Sequence, residues 1–267
     1  MTEEKEPENS LGSGTCKDCG NSSIPAGSQS TAGNNTYRLI ILSVFAVLLL
    51  SFPLVKKLIY CGFSTGDTVK FGQYPGEADG TPAPIEWIIL KKKGGTALLL
   101  SRYGIDSSVY NDEKKPVTWE NSTLRQRLNN DFYTTAFSEE EKTAISEVGL
   151  DNEDSYWGTE GGNKTTDKVF LLSFKEAGQM LKTNKARQVK ATPFAVSNGV
   201  AAHGSGLAWW WLRSPGRYSR NAACVYSTGR MGDYGYSVNA RTGAVRPALF
   251  VNLRKLAKVI NNKQASG

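Results

Sequence analysis

The run between Arg217 and Arg241 carries the side chains whose types best suit recognition of another molecule. It is rich in Tyr, Arg, Asn, Ser and Gly and contains a single acid. Tyr and Arg make large contacts at low entropic cost, so this composition is typical of a recognition surface. The chemistry it predicts is non-covalent: stacking on sugars or bases and hydrogen bonding to carboxylates or phosphates. The predicted ligand-binding residues are Arg217, Tyr218, Arg220, Asn221, Tyr226, Arg230, Asp233, Tyr234, Tyr236, Asn239 and Arg241.

Residue types used in catalysis form no recognisable motif in this sequence. His203, the single histidine, lies in the Gly-rich stretch 199–206, where a surface residue is expected rather than a general base. No Ser or Cys lies in a nucleophile-elbow motif. We therefore predict no catalytic residue and no cofactor.

The four cysteines are scattered and predict no disulfide framework. Cys16 and Cys19 form a Cys-x-x-Cys motif, which is half of a zinc ribbon. Structural zinc takes four ligands and the second pair is missing, so we predict no metal site. Cys16 and Cys19 remain weak candidates for a zinc ion shared between two chains. The acidic residues at 151–154 fit no calcium-loop spacing and predict a surface turn.

The elements that must position the polar run follow an α+β pattern. Helical spacing predicts a helix over 122–132, and capping boxes at Ser138 and Ser173 predict two more. Residues 258–267 are expected to form a frayed tail. Apolar alternation and turn residues predict strands at 69–72, 85–90, 96–101, 169–172, 222–227, 234–239 and 244–252.

Three adjacent tryptophans are expected to fix the hairpins to the core. Alternation places Trp210 on the opposite face from Trp209 and Trp211. Arg213 and Arg246 lie near prolines and are expected to bond backbone carbonyls rather than a ligand. The same alternation turns Tyr226 outward, and it points three valines inward, namely Val225, Val238 and Val245.

The N-terminal part of the chain differs in composition from the rest. Residues 1–36 contain almost no large apolar side chain and are expected to be disordered. The uncharged run from Leu39 to Val55 is bounded by basic residues and predicts a transmembrane helix in the lipid bilayer. The long acidic leader disfavours a cleaved signal peptide, and the charge boundaries disfavour a buried core helix.

The net charge of +7 is concentrated outside the acidic first 36 residues. A basic globular part favours anionic partners such as acidic polymers, phospholipid surfaces or nucleic acid, although solubility alone is an alternative. No clustered Lys/Arg stripe is evident, and Lys91, Lys92 and Lys93 predict a solvated hairpin tip. Nucleic-acid binding is therefore not expected.

Ordered motifs span residues 67–253: FGQYP at 71–75, IEW at 85–87, TDKVFLLS at 166–173, WWLRSPG at 210–216 and VRPAL at 245–249. These resemble the uncharacterised bacterial family called domain of unknown function 6273. The Trp-rich start, polar middle and Val-Arg-Pro end of 207–251 also resemble bacterial C-type-lectin-like domains. These include the variable proteins of diversity-generating retroelements and the formylglycine-generating enzyme superfamily. The resemblance implies a lectin-like fold whose last hairpins carry the binding surface, and no catalytic residue carries over.

The predicted fold class is α+β. A C-type-lectin-like domain has short helices in its first half and twisted antiparallel hairpins in its second half, and one transmembrane helix precedes it. The predicted organisation is a disordered tail with the half zinc ribbon (1–36), a transmembrane helix (37–60), the lectin-like domain (64–257) and a frayed tail (258–267).

We expect non-catalytic recognition of an unknown surface protein or glycan by a domain displayed outside a single-pass cell membrane protein. An ordinary solvated hairpin face is one alternative. An enzyme of the formylglycine-generating type or a cell-wall-modifying hydrolase is another, but the former needs a cysteine pair and Cys224 stands alone in its domain. A cytosol-facing interaction or sensor module follows if Lys56 and Lys57 set the orientation. The Cys-x-x-Cys motif, typical of a reducing tail, favours an external domain.

Overall fold

The computed structural model describes residues 62–266. The predicted disordered tail with Cys16 and Cys19, and the predicted membrane span from Leu39 to Val55, lie outside the described residues. Within residues 62–266, no helix has the length and apolar character needed to cross a membrane.

The described residues form a sheet-rich α+β structure with short helices. The strands are β1 (Thr68–Pro75), β2 (Pro82–Lys93), β3 (Thr96–Ser101), β4 (Asp106–Ser107), β5 (Ile145–Ser146), β6 (Val148–Leu150), β7 (Thr165–Asp167), β8 (Val189–Lys190), β9 (Ala202–His203), β10 (Leu207–Ala208), β11 (Trp210–Pro215), β12 (Asn221–Val225), β13 (Met231–Ser237), β14 (Ala244–Val245) and β15 (Ala248–Asn252). The helices are α1 (Thr123–Arg127), α2 (Tyr133–Ala136), α3 (Glu139–Lys142), α4 (Phe174–Met180), α5 (Asn184–Arg187), α6 (Pro193–Ser197) and α7 (Leu253–Ser266), with a 3-10 turn at Trp119–Asn121 and a π-helical turn at Leu128–Phe132.

Two five-stranded sheets dominate the described part of the chain. The first has the order β1-β2-β3-β15-β5, and every neighbouring pair in it is antiparallel. The second has the order β13-β12-β11-β14-β4, with β11 and β14 parallel. The short connection from β14 to β15 therefore links the two sheets, and the VRPAL motif lies at this link. Smaller sheets pair β8-β10-β9 and β6-β7.

Local sequence signals account for much of the first sheet. Strand β3 has the predicted bounds, and Gly94 and Gly95 form the turn before it with positive φ angles of 58° and 82°. Two-residue turns with positive φ favour glycine because an L side chain is strained there. Both predicted capping boxes are present, at Ser138 with Glu141 and at Ser173 with Glu176.

The three tryptophans are all buried, and they face the predicted directions. The Trp209 and Trp211 ring centroids lie 4.6 Å apart on one face of the sheet. Trp210 lies on the other face, where the Arg246 guanidinium carbon is 4.9 Å from its ring centroid. The three predicted inward valines are also buried, namely Val225, Val238 and Val245.

Arg213 and Arg246 have the predicted structural role. Arg246 is buried and donates from Nε to the Ser101 carbonyl oxygen at 2.9 Å. Arg213 donates to the carbonyl oxygen of Leu171 and forms an ion pair with Glu176, the residue that completes the second capping box. Both side chains thus satisfy buried backbone carbonyls between elements.

Four elements differ from the sequence-based prediction. The single strand predicted over 244–252 is divided into β14 and β15, which belong to different sheets. Residues 169–172 form no strand, because their backbone pairs with Ala248 only at Phe170. The helix predicted over 122–132 becomes a π-helical turn after Arg127. The predicted frayed tail is instead helix α7, which buries Leu256 and Val259 against the first sheet and thereby gains the packing that a short helix requires.

We expect Glu141→Gln to reduce the acid sensitivity of the fold. The Glu141 carboxylate accepts from Gly72 N, Ser138 N and Lys263 Nζ at 2.8, 2.9 and 2.7 Å. Burial opposes ionisation, but the bonds from Lys263, Ser138 and Gly72 outweigh it and lower the pKa of Glu141 below its ordinary 4.5.

Because the folded-state pKa lies below the unfolded one, this stabilisation is complete above pH 4.5 and is lost as pH falls through the folded-state value. Urea unfolding at neutral pH and below pH 4.5 measures the loss. The wild type should lose more free energy of unfolding than Glu141→Gln, and equal losses would contradict this role.

Candidate functional site

A bulge in β13 brings the predicted surface into position. Cys224 pairs with Gly232 and Ala222 with Tyr236, so three residues of β13 lie opposite Ala223 alone. Gly235 makes this possible: its φ is +70°, and a Cβ there would lie 2.2 Å from the Ala222 carbonyl oxygen. Bulges bend a strand and redirect its side chains. Here the bulge turns Tyr234 outward, and its side chain is exposed.

The connection from β11 to β12 closes against this bulge. Arg217 N donates to the Tyr234 carbonyl oxygen at 3.1 Å, and Asn221 Nδ2 donates to the same oxygen at 3.3 Å. Gly216 permits the approach, because a Cβ there would lie 2.5 Å from that oxygen. The backbone at Arg217 and Tyr234 is therefore fixed before any ligand binds.

Arg217 lies at the centre of a group of exposed aromatic rings. Its guanidinium carbon is 4.6 Å from the Trp157 ring centroid, 4.9 Å from Tyr234 and 5.5 Å from Tyr218. Its Nη1 donates to the Tyr234 hydroxyl at 2.6 Å. Cation–π contacts of this kind orient rings on a surface. We call this set the aromatic cluster: Tyr156, Trp157, Arg217, Tyr218 and Tyr234.

The loop at 151–164 supplies two members of the cluster that sequence reasoning missed. Tyr156 is 88% exposed and Trp157 38% exposed, and the Trp157 and Tyr234 ring centroids are 4.9 Å apart. Thr159 Oγ1 donates to the Arg217 carbonyl oxygen at 2.7 Å, which ties the loop to the hairpins. Two adjacent aromatics in an otherwise polar loop are the sequence signal that would have indicated them.

Three of the four acidic residues of this loop are engaged in structural contacts. Asp154 Oδ1 accepts from Gly161 N at 2.9 Å, while Asp151 pairs with Lys164 and Glu153 with Lys175. Within residues 62–266, no group of three or more His, Cys, Asp or Glu side chains is placed to hold a metal ion.

A groove of about 580 Å³ adjoins the aromatic cluster. Its lining includes Val117, Thr118, Arg217 and Tyr218. Exposed Arg220 and Glu160 add opposite charges. The groove thus combines one aromatic ring with charged groups, which suits a polar ligand that presents both a ring face and hydrogen-bonding groups.

Tyr226 and Tyr236 form a second group, the tyrosine pair, on the other side of the hairpin. Their ring centroids are 5.8 Å apart, and Tyr236 lies 4.3 Å from the buried Trp209 ring. Burial, with a smaller contribution from neighbouring Cys224, raises the pKa of both phenols. Burial also raises the pKa of the Cys224 thiol to about 12, so this thiol stays protonated and is a poor nucleophile.

The eleven predicted residues therefore do not form one surface. Arg217, Tyr218, Arg220 and Tyr234 belong to the aromatic cluster and its groove, and Asn221 donates to the Tyr234 carbonyl oxygen beside them. Arg230 and Asp233 lie near Tyr226, where their charges act on its phenol. Asn239 accepts from Ser237 Oγ, and exposed Arg241 contributes its carbonyl oxygen to Ser107 Oγ. His203 is exposed at the end of β9.

The fold and this surface define a sheet-rich α+β domain with a rigid, exposed arginine–aromatic cluster. Comparison with known families gives its membership: the model described as Domain of unknown function (DUF6273) matches residues 94–253, and the chain belongs to this family. The match begins at the β2–β3 turn and ends at the start of α7. Searches of curated proteins and of solved structures found no match to this chain.

Proposed function

We propose that this protein is a membrane-anchored, non-catalytic recognition protein that binds a glycan or a surface protein through the aromatic cluster. The observation that carries the proposal is the arrangement around Arg217. Three aromatic side chains remain exposed there although burial would release water from them, and a fixed backbone holds each in place. Rigid exposed rings lose little entropy on binding.

The surface also has the polarity that a glycan requires. Sugar rings present apolar faces that stack on aromatic rings and hydroxyls that bond polar groups. The groove beside Tyr218 offers the exposed side chains of Arg220 and Glu160 for such bonds.

The finer parts of the proposal come from the sequence. We propose a C-type-lectin-like arrangement of the hairpins, an origin in bacteria, an anchor formed by residues 39–55, and display of the domain outside the membrane. The protonated, solitary Cys224 supports recognition over a formylglycine-type oxidation, which would use a pair of reactive thiols.

The test is an array of glycans and surface proteins probed with the full chain in mild detergent. We expect the wild type to bind a ligand on the array and the double variant Trp157→Ala/Tyr218→Ala to have an affinity lower by more than about tenfold. Truncating an aromatic side chain that the ligand covers typically costs over 1 kcal/mol of binding free energy. Arg230→Gln, a predicted residue outside the cluster, is the control and should keep full binding. Equal binding by the wild type and the double variant would refute this site.

A further inference from the structure

Five exposed basic residues from two distant parts of the sequence lie on segments that adjoin at one end of the first sheet. Residues 91–93 end strand β2, and residues 254–255 open helix α7. The Leu253 N–H donates to the Gly95 carbonyl oxygen at 2.9 Å, which fixes the start of α7 to the β2–β3 turn. The set, which we call the basic patch, consists of Lys91, Lys92, Lys93, Arg254 and Lys255.

Among the residues that the structure describes, no acidic partner accounts for these charges. All five side chains are exposed, and none forms an ion pair within residues 62–266. Acids on adjoining elements are used elsewhere: Asp67 accepts from Ser64 N, and Glu140 and Glu141 bond the far end of α7. Like charges held together without partners repel one another, so fold stability does not explain the patch.

The basic patch adjoins the point where the chain passes into the described residues. Lys92 Nζ donates to the carbonyl oxygen of Phe63. In the sequence, Lys56 and Lys57 and the uncharged run ending at Val55 come directly before this point. An apolar segment within a bilayer leaves the residues that follow it at the headgroup surface, where long basic side chains can reach the phosphates.

We propose that the basic patch binds anionic phospholipid headgroups at the bilayer surface. This goes beyond ligand recognition, and it relies on the proposed anchor to hold the patch near the bilayer. Attraction between a lysine cluster and an anionic surface acts over about one Debye length, about 10 Å at moderate salt. Binding there would hold the domain in one orientation and leave the aromatic cluster to a separate ligand.

The experiment uses the full chain reconstituted into vesicles of phosphatidylcholine, with or without an equal part of phosphatidylglycerol. After flotation, a membrane-impermeant amine reagent labels accessible lysines, and mass spectrometry quantifies each site. Lys182, Lys185 and Lys190 serve as controls on the same molecule, because they too are exposed and form no ion pair within residues 62–266.

We expect anionic vesicles to lower labelling of Lys91, Lys93 and Lys255 by about threefold or more relative to the controls, and added salt to restore it. In Lys91→Glu/Lys93→Glu, the protection of Lys255 should disappear. A chain that floats with both vesicles but shows equal labelling would overturn the patch and leave the anchor standing. A chain that floats with neither would overturn both, and protection by added nucleic acid alone would assign the patch to a different polyanion.

Discussion

Replacing Asp167 with alanine is expected to lower the free energy of unfolding by about 3–5 kcal/mol. The Asp167 carboxylate is buried and accepts from Trp119 Nε1, Arg125 Nε and Thr165 Oγ1 at 2.9, 2.6 and 2.9 Å. Its removal leaves a buried indole N–H and a half-buried guanidinium without their partner. Unsatisfied groups of this kind cost more than the bond itself contributes.

The control for this change is Asp112→Ala. Asp112 also bonds an arginine, Arg127, at 2.7 Å, but both side chains are largely exposed. Exposed ion pairs contribute about 0–1 kcal/mol, so this variant should unfold at nearly the wild-type urea concentration. Similar losses for the two variants would show that burial of the Asp167 network contributes nothing.

The second large effect is expected from Gly235→Ala, with a loss of about 3 kcal/mol in the free energy of unfolding. The positive φ of +70° is strained for alanine, and its Cβ would lie 2.2 Å from the Ala222 carbonyl oxygen. Relief of this clash requires the β13 bulge to move. Ligand binding should weaken with stability, because the bulge places Tyr234 against Arg217.

The variant Gly80→Ala separates the loss of stability caused by the positive φ from the loss caused by the steric clash. Gly80 has a φ of +85° but no atom within 4 Å of the Cβ position. It therefore carries the backbone strain without the clash, and about 1 kcal/mol is expected. Urea denaturation of both variants gives the comparison, and a Gly235→Ala loss no greater than that of Gly80→Ala would contradict the close packing of the bulge.

Features specified by neighbouring residues could be predicted from the sequence. The capping boxes at Ser138 and Ser173, strand β3 and the alternation through the three tryptophans depend on contacts a few residues apart. The class α+β followed from the same signals. The structural roles of Arg213 and Arg246 were also predicted, because a basic side chain beside a proline in an apolar run has carbonyls within reach.

Features that depend on distant contacts could not be predicted. The π-helical turn follows Arg127 where Asn129 bonds the backbone of residues 168–169, about forty positions away. Helix α7 gains its stability from the sheet that buries Leu256 and Val259. Trp157 became a site residue only because its loop is bonded to Arg217, and no local pattern encodes that approach.

The bulge in β13 also explains why the predicted binding residues divide into two groups. Alternation gave the outward direction of Tyr226, but it did not anticipate the bulge in β13 that turns Tyr234 outward. Tyr234 contacts Arg217, whereas Tyr226 packs on Tyr236. The composition of residues 217–241 therefore indicated that polar and aromatic side chains are exposed there, but it did not indicate which of them lie together.

We propose that the aromatic cluster, and not the tyrosine pair, binds the ligand. The most direct measurement is the dissociation constant of the ligand identified on the array, determined for Trp157→Ala and for Tyr226→Ala, with urea unfolding of both. We predict that Trp157→Ala weakens binding about tenfold or more at unchanged stability, while Tyr226→Ala leaves the affinity of the folded protein unchanged. Unchanged affinity in Trp157→Ala, or a loss confined to Tyr226→Ala, would contradict the account.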